Sequence, residues 1–157
     1  MRMPLLILSI FFVGCRDTLE GSWVGDFECH GTEYEVEAQF TETSRYDYNG
    51  DMVFSYQEDA SFDGEAVLFR ADLQYDFTTS QTKVVGGQDI YLDMVWTKLY
   101  CEIEYPDGEI VEGGCKNVGE IDDSDKGEAV GMVEMRYSGS DRISIDDDNC
   151  EGTLYLD

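Results

Sequence analysis

The feature that most constrains this chain is an apolar residue at every second position over long stretches. Residues 32–40 read TEYEVEAQF, with apolar side chains at even positions and acidic or amide side chains at odd ones. Residues 66–77 repeat this pattern over a longer distance. Alternation with period two is typical of a β-strand that has one buried and one wet face. No stretch after Cys15 has the apolar stripe of a helix, so we predict an all-β protein.

Turn signals divide the rest of the chain into further short strands. Pairs such as Asn49-Gly50 and Asp63-Gly64 favour tight turns. The result is an antiparallel meander of about eight to ten strands with one apolar side, which must close or stack to bury that side. We predict a small closed barrel, with a β-sandwich as the alternative. The other strands are expected at 22–29, 52–57, 89–96, 99–105, 109–115, 128–137, 142–146 and 152–156.

The alternation changes phase once, at Thr97-Lys98. Apolar residues occupy even positions from 90 to 96 and odd positions from 99 to 105. A two-residue hairpin needs residues that tolerate a positive φ, which Thr97 and Lys98 do not supply. We therefore predict a β-bulge within one long, bent strand.

The N-terminus has the pattern of an export signal. Arg2 precedes an apolar run, residues 5–13, which is too short to span a bilayer. Phe12-Val13-Gly14-Cys15 resembles the lipobox of bacterial lipoproteins, with Phe12 in place of the usual leucine. The resemblance implies that residues 1–14 are removed and that Cys15 carries fatty acyl chains such as palmitate. The alternative is an ordinary cleaved signal in which Cys15 has no role.

This signal sets the expected domain organisation and location. Residues 15–21 would be the lipidated N-terminus and a short tether, and residues 22–157 a single all-β domain. The lipoprotein resemblance implies that an aspartate directly after the lipidated cysteine retains a protein in the inner membrane. Arg16 stands at that position, so we expect a lipid anchor in the cell envelope, with the outer membrane favoured.

The cysteines that remain after Cys15 are even in number, as expected for disulfides in an exported chain. The first and last strands of a closed meander are neighbours, and Cys29 and Cys150 both share the parity of inward-facing residues. We therefore favour a Cys29–Cys150 disulfide and a second one between Cys101 and Cys115. Counting residues across the turn at 106–108 puts residue 113 opposite Cys101. The Cys101–Cys115 pair therefore requires an extra residue or two on one strand, as in a β-bulge. The other two connectivities stay open.

Gly21-Ser22-Trp23 begins the first strand and resembles the GxW signature of lipocalin and calycin barrels. In that family the tryptophan closes one end of an eight-stranded barrel. The resemblance implies a carrier of a small apolar ligand. The alternative is an aromatic residue that merely starts a core strand. The ligand-facing core would consist of Trp23, Phe27, Tyr34, Phe40, Phe69, Tyr75 and Trp96.

Charge limits the classes of function. The formal net charge is -25, which argues against nucleic acid as a partner because a phosphate backbone would be repelled. Nucleophilic catalysis usually needs a histidine or lysine base, and His30 is the only histidine. We therefore do not expect an enzyme, with a secreted hydrolase as the second alternative.

Two oxygen-rich runs, at 122–125 and 146–149, are weak candidates for calcium, a cation that prefers oxygen ligands. Neither fits the EF-hand frame, so solvated turns are favoured and no metal or cofactor is predicted. The candidate ligands are Asp122, Asp123, Asp125, Asp146 and Asp148.

Together these patterns predict a lipid-anchored envelope protein with a disulfide-stapled, acidic β domain that acts as a binding or structural module. The expected partners are the bilayer, through acylated Cys15, and either a small apolar ligand or another envelope protein. The sequence does not indicate an oligomeric state.

Overall fold

The computed structural model of the chain describes residues 18–79, 87–113, 115, 129–139 and 141–157. Within these residues the secondary structure is β-strand, and the all-β prediction is confirmed. The strands are β1 (Gly21–Cys29), β2 (Thr32–Ser44), β3 (Asp47–Phe62), β4 (Glu65–Thr79), β5 (Gln88–Glu104), β6 (Ile110–Glu112), β7 (Ala129–Gly139), β8 (Arg142–Asp146) and β9 (Cys150–Leu156).

The strands close into a barrel, which confirms the predicted meander and excludes the sandwich alternative. Strands β1 to β5 pair in chain order, and each pair is antiparallel. β5 then pairs with β7, and β7, β8 and β9 follow in order until β9 returns to β1. The remaining strand, β6, is an addition that pairs with the end of β5.

β5 is one long strand with a bulge at Thr97, as the phase change in the sequence predicts. Leu73 pairs with Leu99 and Tyr75 pairs with Trp96, so Thr97 is an extra residue on β5. Its hydroxyl donates a hydrogen bond to the carbonyl of Gln74 at 3.1 Å. Because of this extra residue, apolar side chains on both halves of β5 lie on the same face of the sheet.

The turn predicted at Asn49-Gly50 is wrong. Both residues lie inside β3, and the chain turns at Arg45 and Tyr46, where Tyr46 has a φ of 70°. Gly50 serves a different purpose: a Cβ atom there would lie 1.7 Å from the carbonyl oxygen of Gln39. Glycine at this position therefore permits a close approach of β2 and β3 rather than a turn.

Aromatic side chains fill the barrel around Trp23, which is fully buried. The Trp23 ring makes edge contacts with Phe40 and Tyr137, at centroid distances of 6.3 and 6.5 Å. Its indole nitrogen donates to the carbonyl of Leu19 at 2.8 Å, and Leu19 is also fully buried. The packed domain therefore includes Leu19, which the sequence-based boundary at residue 22 assigns to the tether.

Part of the sheet continues past the barrel. Pairing of β2 with β3 stops at Glu35 and Ser55, and pairing of β5 with β7 covers residues 88–95, whereas β3, β4 and β5 all run on. We call residues 56–62, 65–71 and 99–104 together with β6 the extension. It has its own small core of buried residues: Val67, Phe69, Ala71, Cys101 and Ile103.

Each of these two regions contains one disulfide, and the cysteines are paired as the sequence favours. Cys29 and Cys150 are register partners on β1 and β9, with a Cα separation of 4.1 Å. Cys101 and Cys115 join β5 to the chain beyond β6, with a Cα separation of 5.5 Å. The first bond closes the barrel where the terminal strands meet, and the second holds the extension.

Candidate binding cleft

A cleft of about 1080 Å³ lies where the barrel meets the extension, beside the point at which β2 and β3 separate. Glu35 and Ser55 are the last paired residues there, and both line the cleft. Tyr34 of β2 and Tyr56 of β3, one residue further along, line it as well. The complete lining is Asp26, Phe27, Glu28, Glu33, Tyr34, Glu35, Ser55, Tyr56, Gln57, Arg70, Asp72, Ser144, Ile145, Asp146, Glu151, Gly152 and Thr153.

Strand register places the polar lining on the outer face of the sheet. Asp26 pairs with Glu35, Glu35 with Ser55, and Ser55 with Asp72, so these four residues form one row across four strands. Neighbouring Phe27 is buried in the barrel, and successive side chains of a strand point to opposite faces. The row therefore faces away from the core and forms a wall that solvent can reach.

The charge of this wall is strongly negative. Arg70 is the sole cation among the lining residues, and its guanidinium group is engaged elsewhere: it lies 3.0 Å from Glu102 and 2.7 Å from Glu104. The hydrogen bond to Glu102 also raises the pKa of Arg70. Since these two partners lie outside the lining, they neutralise Arg70 and leave the cleft acidic. The lining carboxylates are Asp26, Glu28, Glu33, Glu35, Asp72, Asp146 and Glu151.

Two tyrosines add aromatic surface to the lining. The rings of Tyr34 and Tyr56 are in edge contact at 5.5 Å, and Tyr56 also contacts Phe69 in the core of the extension. Burial raises the pKa of Tyr56, and the nearby charge of Glu58 raises it further. The phenol is therefore protonated at neutral pH and can donate a hydrogen bond. Tyr34 has the parity of buried Val36, and Tyr56 has that of buried Met52. Their rings therefore line the cleft from its core side, opposite the face of Glu35 and Ser55.

The residues predicted to face an internal ligand are buried or half-buried, and six of the seven, all but Trp96, contact neighbouring aromatic rings among the described residues. Trp23, Phe27, Phe40, Phe69 and Trp96 are buried, whereas Tyr34 and Tyr75 are half-buried. Phe54, which the prediction missed, contacts three of these rings at centroid distances of 5.5 to 5.9 Å: Phe27, Tyr34 and Tyr75. Phe40 packs in the same way on Phe77, at 4.6 Å.

His30 lies in the turn between β1 and β2, where its φ is 52°. Its backbone nitrogen donates to the carbonyl of Asn149 at 2.8 Å, which ties this turn to the loop between β8 and β9. The adjacent thiol, that of Cys29, is consumed in a disulfide. The imidazole therefore has no neighbouring cysteine nucleophile to activate.

The second calcium candidate lies in the loop between β8 and β9. The Asp147 carboxylate accepts hydrogen bonds from the backbone nitrogens of Asn149 and Cys150, both at 2.7 Å. These bonds lower the pKa of Asp147 and direct its side chain into its own loop. Across the described ranges, no three His, Cys, Asp or Glu side chains come together as they would around a metal ion. Asp122, Asp123 and Asp125 lie outside those ranges.

Cys15, the predicted lipid carrier, and the signal segment before it also lie outside the described residues. Within those residues, no helix is long and apolar enough to cross a membrane. No protein-family model, curated protein or solved structure matches the chain.

The cleft itself was not predicted, although its acidic residues are visible in the sequence. Alternation identifies Glu33 and Glu35 as outward-facing, and it does the same for Asp72. Alternation does not indicate that β2 and β3 separate after Ser55. It also does not indicate that the outer wall forms a cleft there. One signal in the sequence is Tyr56, an aromatic residue that directly follows Ser55, the last residue of β3 that pairs with β2.

Proposed function

We propose that this chain is a lipid-anchored protein of the bacterial cell envelope and that its barrel is a binding module. In this proposal the outer cleft binds a cationic group of a partner, such as a basic peptide segment or a polyamine. The observation that carries the binding proposal is the 1080 Å³ cleft, whose carboxylates have no cation in the lining except the already engaged Arg70.

The lipid anchor is supported by the sequence around Cys15. A basic residue, a short apolar run and a small residue before the cysteine are the parts of a lipoprotein signal. More than one acyl chain on Cys15 would exceed the two-signal threshold for stable membrane attachment. Arg16 directly after the cysteine favours the outer membrane.

We favour an outer binding site over an internal apolar ligand because of the packing inside the barrel. Trp23, Phe40 and Phe77 form a continuous series of ring contacts in the interior. A ligand among them would have to displace side chains that already contact each other. The outer cleft needs no such rearrangement.

Intact-mass analysis tests the anchor. Native protein extracted from membranes should begin at Cys15 and carry the added mass of a diacylglyceryl group and a further acyl chain. The Cys15→Ser variant should lose this mass and partition into the aqueous phase of a detergent extraction. A native chain with an unmodified Cys15 would refute the anchor.

Titration with a short lysine peptide tests the cleft. In calorimetry at low ionic strength, the peptide should bind the folded chain and should bind the double variant Asp26→Asn with Glu35→Gln at least about tenfold more weakly. Asp26 and Glu35 are exposed register partners, so removing their charges leaves the fold intact.

The matched control is Asp93→Asn with Glu134→Gln, which removes the same charge from exposed positions on β5 and β7 that are outside the cleft. The peptide should bind this control as it binds the unmodified chain. Equal weakening in both double variants would show attraction to net charge alone and would overturn the cleft as a site.

A further inference from the structure

The two ends of the barrel differ in the number of cationic side chains near their turns. One end, the entry end, contains the start of β1, the turn between β2 and β3, the turn between β7 and β8, and the end of β9. The other, the distal end, contains the turns at 30–31, 63–64 and 107–108 and the loop at 147–149. Carboxylates stand in or beside the turns of both ends: Glu28, Asp63, Asp107 and Asp147 at the distal end, and Glu20, Asp47, Asp141 and Asp157 at the entry end.

Cationic side chains are distributed less evenly. Of those that the structure describes, Arg45, Arg136 and Arg142 lie at the entry end, and Arg70 and Lys98 lie elsewhere. Arg136 is paired with Asp89 at 3.1 Å. Arg45 stands in the turn between β2 and β3, stacks over the ring of Tyr46 at 5.0 Å and donates to its hydroxyl.

The turn with Arg45 and Tyr46 projects beyond the start of β1. Gly21, the first residue of β1, pairs with Phe40, and β2 continues from there to Ser44 before the chain turns. Four more residues of strand correspond to about 13 Å along the strand direction. The entry end also exposes Leu156, whose side chain lies beside Gly21.

The chain between Cys15 and Thr18 is short, so the anchor is close to the entry end. The Thr18 hydroxyl lies 3.4 Å from that of Tyr48, so the N-terminal segment runs beside the start of β3. Cys15 precedes Thr18 by three residues and is therefore within about 11 Å of it even when the chain is fully extended. Tyr46 precedes Tyr48 by two residues, so the turn and the anchor extend over comparable distances.

We propose that the entry end is a membrane-contacting surface, with Arg45 and Tyr46 in the headgroup layer of an anionic bilayer. This inference rests on the proposed lipid anchor. Tyrosine and arginine are the side chains that anchor proteins at this layer, because an apolar body and a polar tip suit it. Three arginines lie at the entry end, whereas the distal turns contain carboxylates and no arginine or lysine, so this acidic domain is repelled less when the distal turns point away from the lipid phosphates.

Labelling of tyrosine with aqueous triiodide tests this orientation on the full lipidated chain. The protein is placed in vesicles of phosphatidylethanolamine and phosphatidylglycerol, and the labelled sites are read by peptide mass spectrometry. The labelling rate of Tyr46 should be at most about one third of its rate in the soluble Cys15→Ser variant. Tyr105, a half-buried tyrosine beside the distal turn at 107–108, is the internal control and should be labelled at an unchanged rate.

Charge reversal at Arg45 sharpens the test. Arg45→Glu should restore labelling of Tyr46 on these vesicles, whereas Lys98→Glu, the same change away from the entry end, should leave it protected.

Lipid attachment is confirmed first by mass and by flotation with the vesicles. A chain that is lipidated and floats, yet exposes Tyr46 as fully as the soluble variant does, would overturn the orientation alone. Protection in native envelopes but not in protein-free vesicles would overturn it in favour of a protein partner. An unmodified Cys15 would overturn both proposals.

Discussion

The extension continues three strands of the barrel, β3, β4 and β5, yet the two regions are held together in different ways. In the barrel, β1 and β9 pair with each other and with their chain neighbours, so the sheet has no edge there. In the extension, β6 pairs with β5 alone among the described residues and exposes Ile110 and Val111. The comparison shows that closure of the sheet stabilises one region, whereas a local crosslink and a small core stabilise the other.

Removal of each disulfide should give the largest difference in stability between the barrel and the extension. Cys29 and Cys150 are 121 residues apart, so by the loop-entropy model replacing both with alanine should lower the free energy of unfolding by about 5 kcal/mol. Cys101 and Cys115 are 14 residues apart, and their replacement should cost about 3 kcal/mol. Urea unfolding of the two double variants measures both values. Equal losses, or a larger loss from the short pair, would show that closing the barrel is not the main contribution.

Core truncations come next in size. Trp23→Ala should cost roughly 3–5 kcal/mol, because it removes the largest buried side chain of the barrel and leaves the Leu19 carbonyl without its donor. Ile103→Ala in the extension should cost roughly 2–4 kcal/mol. Hydrogen exchange should separate them: Trp23→Ala should accelerate exchange in β1, β2 and β9, whereas Ile103→Ala should accelerate it only in the extension. Acceleration of the whole sheet by both variants would mean that the two regions unfold as one unit.

A smaller effect is expected from the ion pairs of the extension. The Arg70 side chain is 37% exposed, so its bonds to Glu102 and Glu104 are partly screened by solvent. Arg70→Met, which retains the aliphatic stem, should lower the free energy of unfolding by less than either core truncation does. The loss should shrink in high salt, and Lys98→Met should show no comparable salt dependence. A loss that does not change with salt would indicate that Arg70 acts through packing instead.

The smallest effect should be a pH dependence of stability caused by Asp147, which lies in the loop between β8 and β9. Two backbone hydrogen bonds lower the pKa of Asp147 in the folded chain, so its stabilising contribution is present above the pKa of the unfolded chain and is lost as the pH falls through the folded value. Asp147→Asn should therefore be less stable than the unmodified chain at neutral pH, and the difference should vanish in acid. Asp148→Asn, which removes the same charge one residue away, serves as the control. A difference that persists at low pH would contradict this assignment.

Much of the fold follows from local patterns in the sequence. Alternation locates the strands, and the parity of Cys29 and Cys150 indicates that the terminal strands are neighbours. The change of parity after Trp96 identifies the bulge. These predictions succeed because side-chain direction in a strand depends only on counting residues.

The error at Asn49-Gly50 and the failure to predict the cleft have one physical origin, which is the curvature of the sheet. Asn49-Gly50 has the chemistry of a turn, but Gly50 is needed because β2 and β3 approach too closely there for a side chain. Tyr46 adopts a positive φ although tyrosine is a poor turn residue. The cleft depends on where β2 and β3 separate, and that depends on how strongly the whole sheet coils. Local residue patterns carry little information about such coiling.

The bulge at Thr97 also determines which changes of chain length β5 can tolerate. A deletion of Thr97 would remove the extra residue and leave Trp96, Lys98 and Leu99 in strict alternation, so the apolar side chains of both halves would stay on one face without a bulge. Deletion of a paired residue further along β5, such as Tyr100, would instead turn Cys101 and Ile103 to the opposite face, and Cys101 would point away from Cys115. A homologous chain with one residue fewer between Trp96 and Leu99 should therefore keep the extension and its disulfide, whereas a chain with one residue fewer between Leu99 and Cys101 should lack them.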